Sequence, residues 1–317
     1  MSKIDALRPE KRPAPLQRFW MRTVGDTGTL GFGLRWGVLL LFAAYFFIPL
    51  LWLVLATSKS APQLLELKPL TFGSFQRIQE AWQRIIEYQD GEVLVWAFNS
   101  IRYALWALVL SLAMSIPAGY ILAVARFPGR RLVLWLTLIT MLLPSSALVL
   151  PMFMELNLFH LINTQWSVIL PSAFFPFGTY LTYIYYASSL PRDLLDAARV
   201  DGCSEAELFW HIALPLATPV LGLLAFINFT TNWNNFFGPY VLLNDDRLFN
   251  LPVGIQQFVA ATSALRPGFN PSPGVMVGYQ QAEAALLGLI MVVPVAIVFL
   301  IAQRYVIGGA FTGSVKG

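Results

Sequence analysis

Six apolar runs, each close to the roughly 20 residues a helix needs to cross about 30 Å of hydrocarbon, constrain this chain more than any other feature. They are approximately Trp36–Thr57, Tyr103–Ala125, Leu132–Met154, Trp166–Ser188, Thr218–Phe237 and Ala284–Tyr305. In lipid every backbone N–H and C=O must be satisfied internally, so runs of this length predict an all-α membrane protein with six transmembrane helices. Composition agrees: 57% of the 317 residues are hydrophobic and 12% charged, against about 25% charged in a soluble domain. A soluble globular enzyme and a disordered chain are both excluded. The first run is too long, and starts too far from Met1, to read as a cleavable signal.

Lys and Arg orient the spans. With the N-terminus in the cytoplasm, the inner side holds Lys3, Arg8, Lys11, Arg12, Arg18, Arg22, Arg35, Arg126, Arg130, Arg131, Arg192, Arg199, Arg304 and Lys316, which is 14 of the 21 basic residues. Both termini are therefore expected in the cytoplasm. The division that follows is a cytoplasmic arm over 1–35, a first helix over 36–57, an external segment over 58–102, a five-helix core over 103–306 and a cytoplasmic tail over 307–317. Helical spacing around Phe75 to Tyr88 favours a small external cap over a mere linker. Asn244 to Gln281, rich in Pro, Gly and Ser, reads as an irregular external loop.

Several chemistries lack their residues. Cys203 is the only cysteine and His160 and His211 are the only histidines, which excludes an internal disulfide and makes multi-ligand metal centres improbable. No acid lies between Glu92 and Glu155, between Glu155 and Asp193, or between Glu207 and Asp245, whereas proton-coupled carriers use intramembrane carboxylates or histidines as relays. Sodium coupling through carbonyls and hydroxyls stays open. No phosphate-cradling G-x-x-x-x-G-K-[ST] loop is present, so the chain does not hydrolyse ATP by that route and is read as a non-enzymatic subunit without a cofactor of its own. The net charge of +4 is spread along the chain, unlike a nucleic-acid stripe. Arg102 and Glu283, both near outer span ends, are expected to pair or to snorkel separately.

The loop at 189–217 is the most specific stretch. Pro191 suits a helix start, Arg192 to Val200 are good helix formers with Leu194, Leu195 and Ala198 on one face, and Gly202 can take the left-handed conformation that ends the helix. Ser204 and Glu207 have capping-box spacing, so a second helix should begin at once and run to Leu214, where Pro215 limits it. A small-residue face formed by Ala197 and Ala198 is expected. Asp193, Asp196, Asp201, Glu205 and Glu207 outnumber the two arginines. An interfacial helix would instead carry basic residues, so a docking surface is favoured.

Asp196-Ala197-Ala198-Arg199-Val200-Asp201-Gly202 followed by Ile212-Ala213-Leu214-Pro215 resembles the E-A-A-x-x-x-G and I-x-L-P pattern of ABC importer permeases. Asn99-Ser100, Ala125 to Arg130, Leu170-Pro171, Pro252-Val253-Gly254, Gln303-Arg304-Tyr305 and Val315-Lys316-Gly317 are similar to the smaller permease subunit of maltose-type sugar importers. The resemblance implies that the loop between the fourth and fifth helices is a cytoplasmic coupling helix seated in an ATPase cleft. Asp196 then stands for the usual Glu, Ala197 and Ala198 allow close approach, and Gly202 turns the chain, with Asp201, Leu214 and Pro215 completing the motif. It also implies a second permease subunit, two ATPase subunits carrying ATP and Mg, an extracytoplasmic binding protein and a bacterial inner-membrane location. Residues 1–35 and Ala264 to Gln281 match no pattern.

In the fifth run Asn228, Thr231, Asn232 and Asn235 fall at i, i+3, i+4 and i+7, one face of a helix. Beside Trp233 they can bind sugar hydroxyls with the indole stacked on a ring, or they can hold helices together at roughly 0.6 to 2 kcal/mol each. The resemblance implies that this span lines the translocation path. Ser111, Ser115 and Gly119 read as a helix contact. A sugar-importer permease is the reading that collects most of these features, with an ABC permease for glycerol phosphate or an amino acid, an ion-coupled carrier and a purely structural subunit as rivals.

Overall fold

The computed structural model describes residues 29–261 and 281–312, and all secondary structure there is helical. The expected arm as far as residue 28, most of the loop before Gln281 and the tail from residue 313 lie outside the described residues. Helix α1 (Thr29–Ala56) meets the last helix where Leu53 lies against Gly288. Two short helices, α2 (Ala61–Glu66) and α3 (Phe75–Glu87), follow. The turn between them is pinned where Ser58 Oγ accepts the Gly73 N–H at 2.9 Å and buried Lys59 donates to the carbonyls of Lys68 and Pro69, both at 3.0 Å.

Helix α4 (Glu92–Val124) is the axis of the bundle. Its polar side chains Trp96, Asn99, Ser100 and Tyr103 recur at helical spacing and all turn to one segment. Trp96 donates to the Asp246 carbonyl at 2.9 Å, Asn99 to Arg247 at 2.8 Å and Phe249 at 3.0 Å, and Tyr103 to Leu248 at 2.8 Å, while Ser100 accepts the Leu251 N–H at 2.7 Å. Residues 246–251 therefore do not need strand or helix partners. This stapled segment opens a helix, α13 (Leu251–Ala261), whose Leu251, Val253 and Phe258 are fully buried. The expectation of an irregular loop from Asn244 is thus corrected over Leu251–Ala261, which is a core helix, admitted because Gly254 lets the Trp96 ring press on the backbone.

The remaining spans are interrupted where proline dictates. Helices α5 (Arg130–Leu142) and α6 (Ser145–Leu158) meet at 108°. Leu143, preceding Pro144, is pushed to ψ 126° and leaves the helix, so the run read as one span from Leu132 to Met154 is a bent pair. A second break, at Phe174–Phe175 before Pro176, separates α7 (Gln165–Ala173) from α8 (Pro176–Ser189). Beyond the connecting loop described below, α11 (Thr218–Trp233) ends four residues short of the expected Phe237, and a separate α12 (Phe237–Leu242) follows. The last helix, α14, covers Gln281–Thr312.

Small residues let α4 and α8 approach. A Cβ on Gly119 would stand 2.6 Å from Thr182 Cβ and 2.9 Å from the Thr179 carbonyl, and Ser115 Oγ donates to the Phe175 carbonyl at 3.2 Å. The reading of Ser115 and Gly119 as a helix contact holds.

The pairing of Arg102 with Glu283 is corrected. Fully buried Glu283 takes Arg77 of α3 at 2.7 Å and Arg84 at 3.6 Å, closing α3 onto α14. Sequence spacing favoured Arg102 only because α3 was not foreseen to lie over the start of α14.

Two measurements test this packing. Gly119→Ala should lower the thermal unfolding midpoint in detergent, through overpacking of about 1–3 kcal/mol, while Gly37→Ala, where a Cβ meets nothing within 4 Å, should leave it unchanged or slightly raised. Glu283→Gln should destabilise by about 1–3 kcal/mol because it removes the charge that Arg77 meets at 2.7 Å and leaves it the longer pair with Glu80 at 3.4 Å, with Arg84→Gln weaker; Arg102→Gln added to Glu283→Gln should show no coupling energy in a double-mutant cycle.

Candidate functional site

The chain leaves α8 at Leu190 and Pro191 and forms α9 (Arg192–Val200). Its end is a Schellman cap: Cys203 N–H donates to the Ala198 carbonyl at 3.0 Å and Gly202 N–H to Arg199 at 3.1 Å, with Gly202 at φ 89°. The next helix, α10 (Glu205–Leu216), starts in a capping box, where Ser204 N–H donates to Glu207 at 2.8 Å and Glu207 N–H to Ser204 Oγ at 3.3 Å. Both halves of the hairpin are thus terminated by their own atoms.

Helix α10 does not stop at Pro215, as expected, but passes through it. Proline has no N–H for the His211 carbonyl, and the ladder adjusts by a π turn over Leu208–Ala213, with Leu214 N–H reaching back to Phe209. Leu195, Leu208, Ala213 and Ala217 are buried under Tyr120 and Tyr186 at the ends of α4 and α8. Tyr185 and Tyr186 donate to the carbonyls of Leu216 and Ala213 at 2.6 and 3.3 Å. The hairpin is therefore bolted to the spans.

Arg199 joins its two arms. It meets Asp196 at 2.8 Å and Glu205 at 2.8 Å, so the carboxyl of Glu205 is held below the usual carboxylate range, as is that of Glu207 by the Ser204 N–H. Asp196 remains two-thirds exposed. Ala197 and Ala198 do not share a face. Successive helical residues point about 100° apart, and here Ala198 turns into the core while Ala197 joins exposed Leu194 and Val200 in an outward stripe. Asp193, Asp196 and Asp201 flank that stripe in solvent. Leu214 is half-buried and Pro215 exposed.

The polar stripe is less uniform than its spacing suggests. Asn228 is buried and its Oδ1 accepts from Asn232 Nδ2 at 3.1 Å. Exposed Thr231 donates to the Ile227 carbonyl at 2.8 Å. Trp233 is 1% exposed, stacked on Phe229 and donating to the Met291 carbonyl at 3.0 Å, so its indole belongs to the core and offers no face to a sugar. Asn235 lies past the helix end. It lines a 330 Å³ cavity with Ser145, Ser167 and Ser172, and its backbone carbonyl accepts from Asn250 at 2.6 Å. Asn234, not singled out by period, is exposed at the C-terminus of α11. Among the described residues no group of three His, Cys, Asp or Glu could hold a metal.

The chain is similar to an arabinooligosaccharide transport system permease protein of Halalkalibacterium halodurans, 36% identical over 72% of this chain and 76% of the relative. A lactose transport system permease protein of Rhizobium radiobacter is 31% identical over 89% and 95% of the two chains. A solved chain of a bacterial ABC transporter that imports the acidic polysaccharide alginate superposes with a TM-score of 0.72 at 22% identity, over 86% of this chain and 96% of that one. The sequence profile of the binding-protein-dependent transport system inner membrane component family matches residues 115–309, from the middle of α4 through the hairpin and the polar stripe into α14, and the chain belongs to that family.

Proposed function

We propose that the chain is one of two permease subunits of an ATP-driven ABC importer that takes up a sugar or oligosaccharide delivered by an extracytoplasmic binding protein. The observation that carries the substrate class is the 36% identity to an arabinooligosaccharide permease. Six spans are the reading supported by the four long apolar helices, the bent pair α5–α6 and the apolar α11 that follows the hairpin, and the excess of Lys and Arg supports cytoplasmic termini and a cytoplasmic α9–α10 hairpin in a bacterial inner-membrane protein. ATP and Mg are held by two separate ATPase subunits.

The hairpin is the coupling element. Its outward stripe of Leu194, Ala197 and Val200, ringed by Asp193, Asp196 and Asp201, is an apolar ridge with an acidic rim, suited to an ATPase cleft with basic edges. Arg199 and the caps keep the ridge rigid, and the tyrosine contacts pass its movement to α4, α8 and α11. Thr231, Asn232 and Asn235, with Asn234, face the sugar path; Asn228 acts by orienting Asn232, and Trp233 by fixing α11 against α14.

Two experiments follow. Gly202→Val forces a β-branched residue to positive φ at a cost of about 1–3 kcal/mol, and Asp196→Lys reverses a charge on the rim. Each should leave spans and partners assembled yet reduce binding-protein-stimulated ATP hydrolysis at least several-fold, and stimulated hydrolysis at the unsubstituted rate in both would remove the coupling role. In proteoliposomes holding both permeases and the ATPase pair, ATP and loaded binding protein should drive accumulation of labelled oligosaccharide. Asn232→Leu should lower uptake per assembled complex about tenfold, the loss of one to three kcal/mol at an unsatisfied polar group. Normal uptake per complex with reduced assembly would assign the stripe to helix packing.

A further inference from the structure

With Glu283 taken by Arg77, Arg102 makes no hydrogen bond or ion pair among the described residues. Its Nε is buried without an acceptor, and the ring of Tyr103 lies 5.8 Å from its guanidinium. It sits in a stripe of α4 that no described residue covers. Leu94, Phe98, Ile101 and Leu105, exposed by 51%, 62%, 43% and 47%, recur at i, i+4, i+7 and i+11, the spacing of a helix–helix seam.

The length of α4 decides what can cover this stripe. Its 33 residues extend about 50 Å, against about 30 Å of hydrocarbon. Counted from Val124, next to Arg126, Arg130 and Arg131, about 20 residues use up the hydrocarbon near Leu105. Leu94 then stands about 16 Å beyond it. Lipid tails do not reach Leu94 or Phe98, and an apolar patch in water marks an interface. The same face continues with half-exposed Trp106 and Val109 at lipid depth, where a soluble binding protein cannot follow. One occupant covers both zones only if it is itself a membrane-spanning protein. Arg102, between them, calls for a carboxylate or carbonyl on that occupant, because its buried Nε has no acceptor among the described residues and a buried donor left unpaired is costly.

We propose that Leu94, Phe98, Ile101, Arg102 and Leu105 form the seam of α4 against a helix of the second permease subunit, with Arg102 donating to an acceptor there. The proposal rests on the two-permease reading above. The test places the photo-crosslinker p-benzoylphenylalanine at Phe98 and, separately, at Leu105 in the complete complex with its ATPases and binding protein. The expected result is an adduct with the second permease at both positions. Arg102→Leu should lower the second permease co-purified roughly tenfold, and Arg102→Lys by less. An adduct with the binding protein, an adduct within this chain, no protein adduct, or an unchanged yield for Arg102→Leu would overturn the seam. If the unsubstituted chain co-purifies with no second permease, the two-permease reading itself fails, and the seam with it; co-purification without adducts removes the seam alone.

Discussion

The four polar side chains of α4 that staple residues 246–251 are the constraint on which the rest of the bundle depends. Five hydrogen bonds between Trp96, Asn99, Ser100 and Tyr103 and the passing backbone satisfy a segment that would otherwise carry orphaned peptide groups into the core. With that segment fixed, Leu251, Val253 and Phe258 bury beside Trp96 and Tyr88. Phe229 and Trp233 of α11 close the same cluster. The start of α4, the end of α11 and helix α13 are consequently one block, and the polar stripe hangs from it.

A second block lies at the other end of α4. Ile116, Tyr120 and Ala123 pack with Tyr186, Leu195, Leu208 and Leu224, so α9, α10, α8 and the first turns of α11 share a core. Within this block Gly119 lets α4 and α8 approach to backbone contact. A push on the hairpin is therefore delivered to the adjoining ends of α4 and α8 and the first turns of α11 through close-packed contacts, which transmit displacement because interiors have little free volume.

Much of this was legible in residue order. The apolar runs located every long helix, and the caps of the hairpin were readable, since Gly202, Ser204 and Glu207 act through local backbone bonds that depend only on sequence neighbours. Long-range choices were not. That Glu283 would meet Arg77 rather than Arg102 depends on where α3 lies, and that Trp233 would turn inward depends on the Met291 carbonyl, 58 residues away. Period alone grouped Asn235 with Asn228, but the helix ends at Trp233 and the fourth amide leaves the face. Asn99 and Ser100 stood out only as a motif; their meaning lies in a segment about 150 residues on.

The π turn at Leu208–Ala213 has a geometric effect on everything after it. It accommodates one more residue than an α-helix of the same height, and one residue corresponds to about 100° of azimuth. The phase of the ridge of Leu194, Ala197 and Val200 relative to α11 is therefore set by that extra residue together with the 75° elbow at Ala217. Removing one residue from the π turn would leave two good helices and an intact cap, yet the ridge and the amides would be clocked to different sides of the bundle. In this chain the length of six residues sets the gearing between the outward ridge of the hairpin and the amide face of α11.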